Sequence, residues 1–243
     1  SFNLPLEELR VYLSHFELGL YEIYKTLNES QTKQQMEKLC ISEDELRIIT
    51  TPNPVEAQLR FNNHILTDFS VQEFLRLASI TRENLSDLLK VKFLPEISNV
   101  KVDKTNDTED IQKFEEKLLQ LTDIRLDHIH RFIRFWKKTS WTIPEFDWVL
   151  NSLKSAGLLN NFEEVDGNGY FRILIVSELI NIQEALKFST EEVCAMVDDL
   201  SQIPIYDGDK SFYERIFDLE KIFGFAPTST DDDVVFNTHA TLF

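Results

Sequence analysis

The run IHRFIRFWKKTSWTIPEFDWVLNSL, from Ile129 to Leu153, limits most strongly what this chain folds into. Ile129, Phe132, Ile133 and Trp136 recur at i, i+3, i+4 and i+7, one apolar stripe at helical period. Arg131, Arg134, Lys137 and Lys138 lie mostly off that stripe and crowd the C-terminal half, where positive charge complements the helix dipole. A tight break follows at Thr139-Ser140. A second helix then starts with Thr142 as N-cap and Glu145 three residues on, a capping box. Trp141 before the cap and Phe146 after it form a hydrophobic staple. Phe146, Val149, Leu150 and Leu153 supply the second apolar face. The pattern predicts a structural corner at which Trp136, Trp141 and Phe146 are buried. Trp148 falls off that face and, with Arg131, Arg134, Lys137 and Lys138, forms a candidate interaction surface.

The capped corner recurs. Ser42 with Glu45, Ser70 with Glu73 and Ser189 with Glu192 repeat the box, stapled by Ile41 and Leu46, Phe69 and Phe74, and Phe188 and Val193. A weaker version stands at Thr81 and Asn84. The spacing is irregular, which excludes a fixed-period solenoid. Near the start, Pro5 suits a first helical turn. Leu6, Leu9, Leu13 and Phe16 form a stripe, with Gly19 as C-cap and a short helix over 20–27. A polar helix is expected over 31–40. The Thr51-Pro52-Asn53-Pro54 segment ends the helix begun at Ser42, and 55–63 reads as loop or short helix. Residues 98–110 lose apolar periodicity and read as an exposed loop and a sub-domain boundary. A short strand or hairpin near 112–126 competes with a helix over 114–126. Gly157 and 160–169 form a second loop, 172–186 a buried-looking helix, and 224–243 an irregular C-terminal segment. The fold class expected is all-α, a single domain over 1–243 built as an irregular stack of helical hairpins with capping-box corners.

Composition agrees: 6 Gly and 7 Pro beside 19 Phe favour helices with short connections. A net charge of −17 opposes a general phosphate-binding surface, so no nucleic-acid partner is expected. Cys40 and Cys194 lack CxxC spacing, which gives neither a metal site nor a disulfide framework. The most apolar run, 171–182, is broken by Arg172, Glu178 and Asn181 and is too short to span a bilayer. No secretory leader is evident, and a start at Ser1 leads us to expect processing or excision from something longer.

Catalytic and metal-binding patterns are weak. Asp127, His128 and His130 sit together, but residues two apart on a helix point about 200° apart. Asp127 and Arg131, at i and i+4, read as a helix surface pair. Glu164, Asp166, Asn168 and Gly169 imitate half of a calcium loop, yet its twelfth position is Ile175, where a bidentate Glu is needed. Three glycosylation sequons, beginning at Asn28, Asn84 and Asn106, have no secretory context. There is no nucleophile elbow, phosphate loop or HExxH. No catalytic residue, metal or cofactor is expected.

The segment IHRFIRFWKKTSWTIPEFDWVL resembles a signature of the A components of bacterial Tc (toxin complex) insecticidal toxins, in which a basic-aromatic helix precedes a Trp and a helix with an acidic-plus-Asp pair. NLPLEELRVYLSHFELGLYEIYKTL, FSVQEFLRLASITRENLSDLLKVKFL, ILIVSELINIQEALKFSTEEVCAMVDDLSQIPI and SFYERIFDLEKIF are similar to further family segments, in a matching order. The resemblance implies a non-catalytic piece of the helical shell around a pentameric, pore-forming, cargo-translocating subunit. Its partners would be other regions of the same subunit and its neighbours. Other regions would meet the host cell surface, and this segment would not itself insert into a membrane. The resemblance also implies a virulence protein that is secreted or associated with the cell surface. The rival expectation is an independent helical adaptor with an apolar groove; a small pore-former is a weaker third.

Overall fold

The computed structural model describes residues 3–104, 116–159 and 169–217. The chain divides into two compact units, Ser1–Asp198 and Asp199–Phe243. The boundary expected at 98–110 therefore falls inside the first unit. The calcium-like loop lies almost wholly outside the described residues, as does the irregular segment 224–243.

The structure is mostly helical. The first unit holds α1 (Leu4–Ser14), α2 (Leu20–Thr26), α3 (Gln31–Lys38), α4 (Glu43–Thr50), α5 (Pro54–Arg60), α6 (Val71–Ala78) and α7 (Arg82–Leu88). It continues through β1 (Lys101–Lys104), β2 (Glu116–Leu119), α8 (Asp123–Trp136), α9 (Ile143–Ser155), α10 (Gly169–Leu186) and α11 (Thr190–Ala195). Short 3-10 turns lie at Leu66–Asp68 and Pro95–Asn99.

The expected N-caps are all in place: Ser42, Ser70, Thr81, Thr142 and Ser189 each accept from the backbone N–H three residues on. Reciprocity is selective. It is complete at Thr81, Thr142 and Ser189. Ser42 and Ser70 are caps without the return bond, because cations draw the two glutamates away. Glu45 turns to Lys138 at 2.7 Å, and Glu73 turns to Arg76. Gly19 caps the start of α2 rather than the end of α1.

The undecided segment 55–63 is helical as α5, with Asn53 as N-cap and Pro54 in the first turn. The strand alternative near 112–126 is also realised, as β2, with α8 following from Asp123. Its antiparallel partner β1 lies where a loop was expected, with Val102 opposite Leu118. KVDK exposes most of its side chains, so it carries no alternation, and pairing with β2 alone makes it a strand. Leu118 is buried, and its N–H donates to Phe69 O at 2.9 Å, tying the ribbon to the entry of α6.

One hydrophobic core joins α4 to α11. Phe61 and Phe74 stack at 5.5 Å, and Phe69 meets Phe74 edge-on at 5.7 Å. Phe146 of α9 receives Phe132 and Phe135 of α8, each at 5.2 Å. The second unit, by itself, shows α12 (Phe212–Ile216) behind a complete Ser211–Glu214 capping box, and Tyr213 N donates to Ser201 O at 3.0 Å.

Candidate functional site

The basic run of α8 is where the chain gathers its unusual chemistry, and it is mostly directed inward. Arg131, expected on an interaction surface, is 0% exposed. Its Nε donates to Ile49 O at 2.9 Å and its Nη2 to Thr50 O at 3.4 Å, at the C-terminus of α4. Those carbonyls have no intrahelical partner, and Pro52 and Pro54 prevent the helix from continuing. Asp127, read as the exposed half of a surface pair, is buried too. Its Oδ2 is 3.7 Å from Arg131 Nη1, and its Oδ1 accepts from Asn53 N at 3.1 Å. One i, i+4 pair of α8 thus clamps both sides of the proline turn. Burial pushes the Asp127 carboxyl above the usual carboxylate range, opposed by the Asn53 hydrogen bond and the Arg131 charge. Burial likewise draws the Arg131 guanidinium down to about 10.

The next basic residues cap other helices. Lys137 Nζ donates to Ala78 O at 2.7 Å and Ser79 O at 2.9 Å, at the C-terminus of α6, where a cation also meets the helix dipole favourably. Lys138 Nζ donates to Cys40 O at 3.0 Å, just beyond α3, and pairs with Glu45 of α4. Arg134 Nε donates to His130 Nε2 at 2.8 Å, and Arg134 Nη1 is 3.6 Å from Glu45. Trp148, expected to meet another surface, is half-buried against the core.

The aromatic corner takes the same form. Trp141 is 5% exposed and stacks on Phe146 at 6.4 Å, so the staple is present. Trp136 is only half-buried, contrary to expectation, and its indole N–H donates to Trp141 O at 2.8 Å. Trp141 Nε1 donates to Gln183 Oε1 of α10 at 2.7 Å. Glu145 closes its own box on Thr142 N at 2.8 Å while its other oxygen accepts from Thr190 Oγ1 at 3.1 Å, which links the starts of α9 and α11. Asp147 accepts from the backbone N–H groups of Lys92 and Phe93, at 3.0 and 2.9 Å, and from the Asn151 side chain. Sequence reasoning gave Asp147 no role of its own; its signal was the acidic-plus-Asp pair that it forms with Glu145 in the resembling segment.

The two histidines face different surroundings. His128 Nδ1 lies 2.6 Å from Glu96 Oε1, whereas His130 packs edge-on to Phe61 at 6.0 Å and accepts from Arg134. Among the described residues no group of three metal-ligating side chains converges. Cys40 and Cys194 are free thiols, and burial pushes the Cys194 thiol up to about 12.

Burial, then the charges of Arg134 and Arg60, push His130 down to about 4. An unfolded histidine titrates near 6.5. Between these values the unfolded chain takes up a proton that the folded chain refuses, so stability present above pH 6.5 is lost as pH falls towards 4. The expected loss is on the order of 3 kcal/mol. Urea unfolding at pH 7, 5.5 and 4 should show a shallower acid slope for His130→Gln than for the wild type. Equal slopes would remove His130 as the cause.

Comparison of the chain with protein-family models, with curated proteins and with solved structures finds no match.

Proposed function

We propose that this chain is a non-catalytic scaffold segment, an irregular stack of helical hairpins belonging to the outer shell of a Tc-type toxin A subunit. The observation that supports this reading is the use made of the resembling residues. Arg131, Glu145 and Asp147 each join separate helices or turns through buried or half-buried hydrogen bonds, and Trp141 locks α9 to α10. Residues deployed in this way fix the mutual placement of helices, which is what a shell under mechanical load requires. Its partners are then the remainder of the same subunit and neighbouring copies in a homopentamer, with host attachment and cargo carriage left to other regions. Localisation follows as secreted or cell-surface associated. Among the described residues no helix is long and apolar enough to cross a membrane.

A second reading, an independent helical adaptor, is favoured by α1. Leu4, Leu9, Val11 and Tyr12 on that helix are exposed, as is Phe16 just beyond it. The helix is held chiefly by polar contacts, Arg10 gripping Glu37 of α3 with both Nε and Nη2, at 3.1 and 2.6 Å. An apolar face of this extent marks an interaction surface. Negative-stain electron microscopy of the complete natural gene product separates the two readings. Five-fold, bell-shaped particles are the expected result. A compact monomer near the size of this chain would overturn the shell reading and leave the adaptor.

A further inference from the structure

Between the C-terminal ends of α5 and α6 and the flank of α8 lies a cavity of about 370 Å³, whose wall includes Glu45, Arg60, Phe61, His130, Arg134 and Lys137. A second cavity of about 320 Å³ shares Arg60, Arg134 and Glu45 with it and extends towards Asn3, Lys138 and Glu7, the last paired with Arg10. Cations therefore converge on one groove in a chain whose net charge is −17.

The carboxylates nearest these cations are engaged more closely elsewhere. Glu56 is 3.7 Å from Arg60 but takes both nitrogens of Arg47, at 3.1 and 3.4 Å. Glu45 is 3.6 Å from Arg134 but 2.7 Å from Lys138. Lys137 is bonded to neutral carbonyls, which leave its charge in place. His130 accepts from Arg134 through a lone pair, so it adds no countercharge. Burial first, and the charge of Arg60 second, hold the Arg134 guanidinium below its usual value, and burial followed by the Arg134 charge lowers Lys137. Two guanidiniums and an ammonium thus share a concave, partly desolvated space with one lining carboxylate, Glu45, which is paired with Lys138 and leaves the groove with net positive charge. Such an arrangement is relieved by an anion with several acceptor oxygens, which planar guanidinium groups can engage bidentately.

We propose that this groove binds a small multivalent oxyanion of the phosphate or pyrophosphate class, with Arg60 and Arg134 as the principal ligands and Lys137 at the rim. The site is independent of the shell reading, since it rests on the geometry and charge of the groove and not on any assembly. Binding would draw α5 and α8 together and screen the repulsion between them.

Inorganic pyrophosphate, titrated into the 243-residue chain by calorimetry at ionic strength fixed with chloride, tests this directly. The expected result is saturable binding of one anion per chain, accompanied by a rise in melting temperature. Arg60→Gln and Arg134→Gln should each weaken binding about tenfold, the loss of one charge-assisted contact. Arg82→Gln, at an exposed cation outside the groove, should bind as the wild type does. Absence of saturable binding to the wild type overturns the proposal. So does wild-type affinity in Arg60→Gln, whose side chain is exposed enough for the variant to fold even if Arg134→Gln does not. An equal loss in Arg82→Gln also overturns it, by showing a general charge effect.

Discussion

Arg131→Met should destabilise the chain by about 3–5 kcal/mol, the cost of stranding one member of a buried ion pair. The methionine fills much of the guanidinium's volume, so cavity formation contributes little. The loss comes from polar groups left behind. Ile49 O and Thr50 O lose their donors at the end of α4, and Asp127 keeps only the Asn53 N–H and a diminished electrostatic environment. Asp127→Asn in the same background should recover part of the loss, because Asn is neutral and its oxygen still accepts from Asn53. Double-mutant analysis by urea unfolding should return a coupling of about 1–3 kcal/mol. The pH dependence has a definite sign. A buried carboxyl whose folded pKa is raised contributes most below its unfolded pKa, near 3.9, and that contribution is lost as pH rises through the folded value. Without Arg131 the folded value rises further, so the deficit of Arg131→Met should shrink as pH falls from 7 towards 5. A deficit under about 1 kcal/mol, constant with pH, would mean that Arg131 is not the clamp its geometry indicates.

The same residue shows where the sequence was legible and where it was not. Helix starts were readable because an N-cap is a local event: Ser42, Ser70, Thr142 and Ser189 need only a backbone three residues away. Whether a box closes depends on which cations compete for its glutamate, near or far in sequence. Glu45 and Glu73 leave their caps because Lys138 and Arg76 compete for them, and Lys138 is distant in sequence. Asp127 and Arg131 look like an exposed i, i+4 pair, since both lie off the apolar stripe. Their burial follows from the proline turn of α4 and α5, whose orphaned carbonyls and N–H require polar partners. A helix ended abruptly by Pro52 and Pro54 was therefore a signal that donors had to come from somewhere. β1 had no such signal, because its side chains are mostly solvated and its strand character comes from β2. For the groove, Arg134, Lys137 and Lys138 were visible as a cluster. Arg60 joins them only through the packing of α5 on α8.

Trp141→Ala should cost about 3–5 kcal/mol, the range for deleting a buried large aromatic side chain, and lower the melting temperature by about 6–20 °C for a chain of this length. Three interactions end together in that variant: the stack on Phe146, the bond to Gln183 and the cover over the first turn of α9. The bond from Trp136 to the Trp141 carbonyl survives in principle, because it uses backbone, but the loop that presents the carbonyl loses its anchor. Trp141→Phe separates these contributions. Phenylalanine keeps a ring for the staple and forfeits the indole N–H and part of the ring volume, so it should cost about 1–3 kcal/mol, less than alanine, through the unmatched Gln183 oxygen and the small void. An unchanged melt for Trp141→Ala would sink the staple. Equal losses for Ala and Phe would place the stability of the corner in the Gln183 bond instead, and would make α10, rather than the facing of α8 on α9, the element that holds the two helices at their angle.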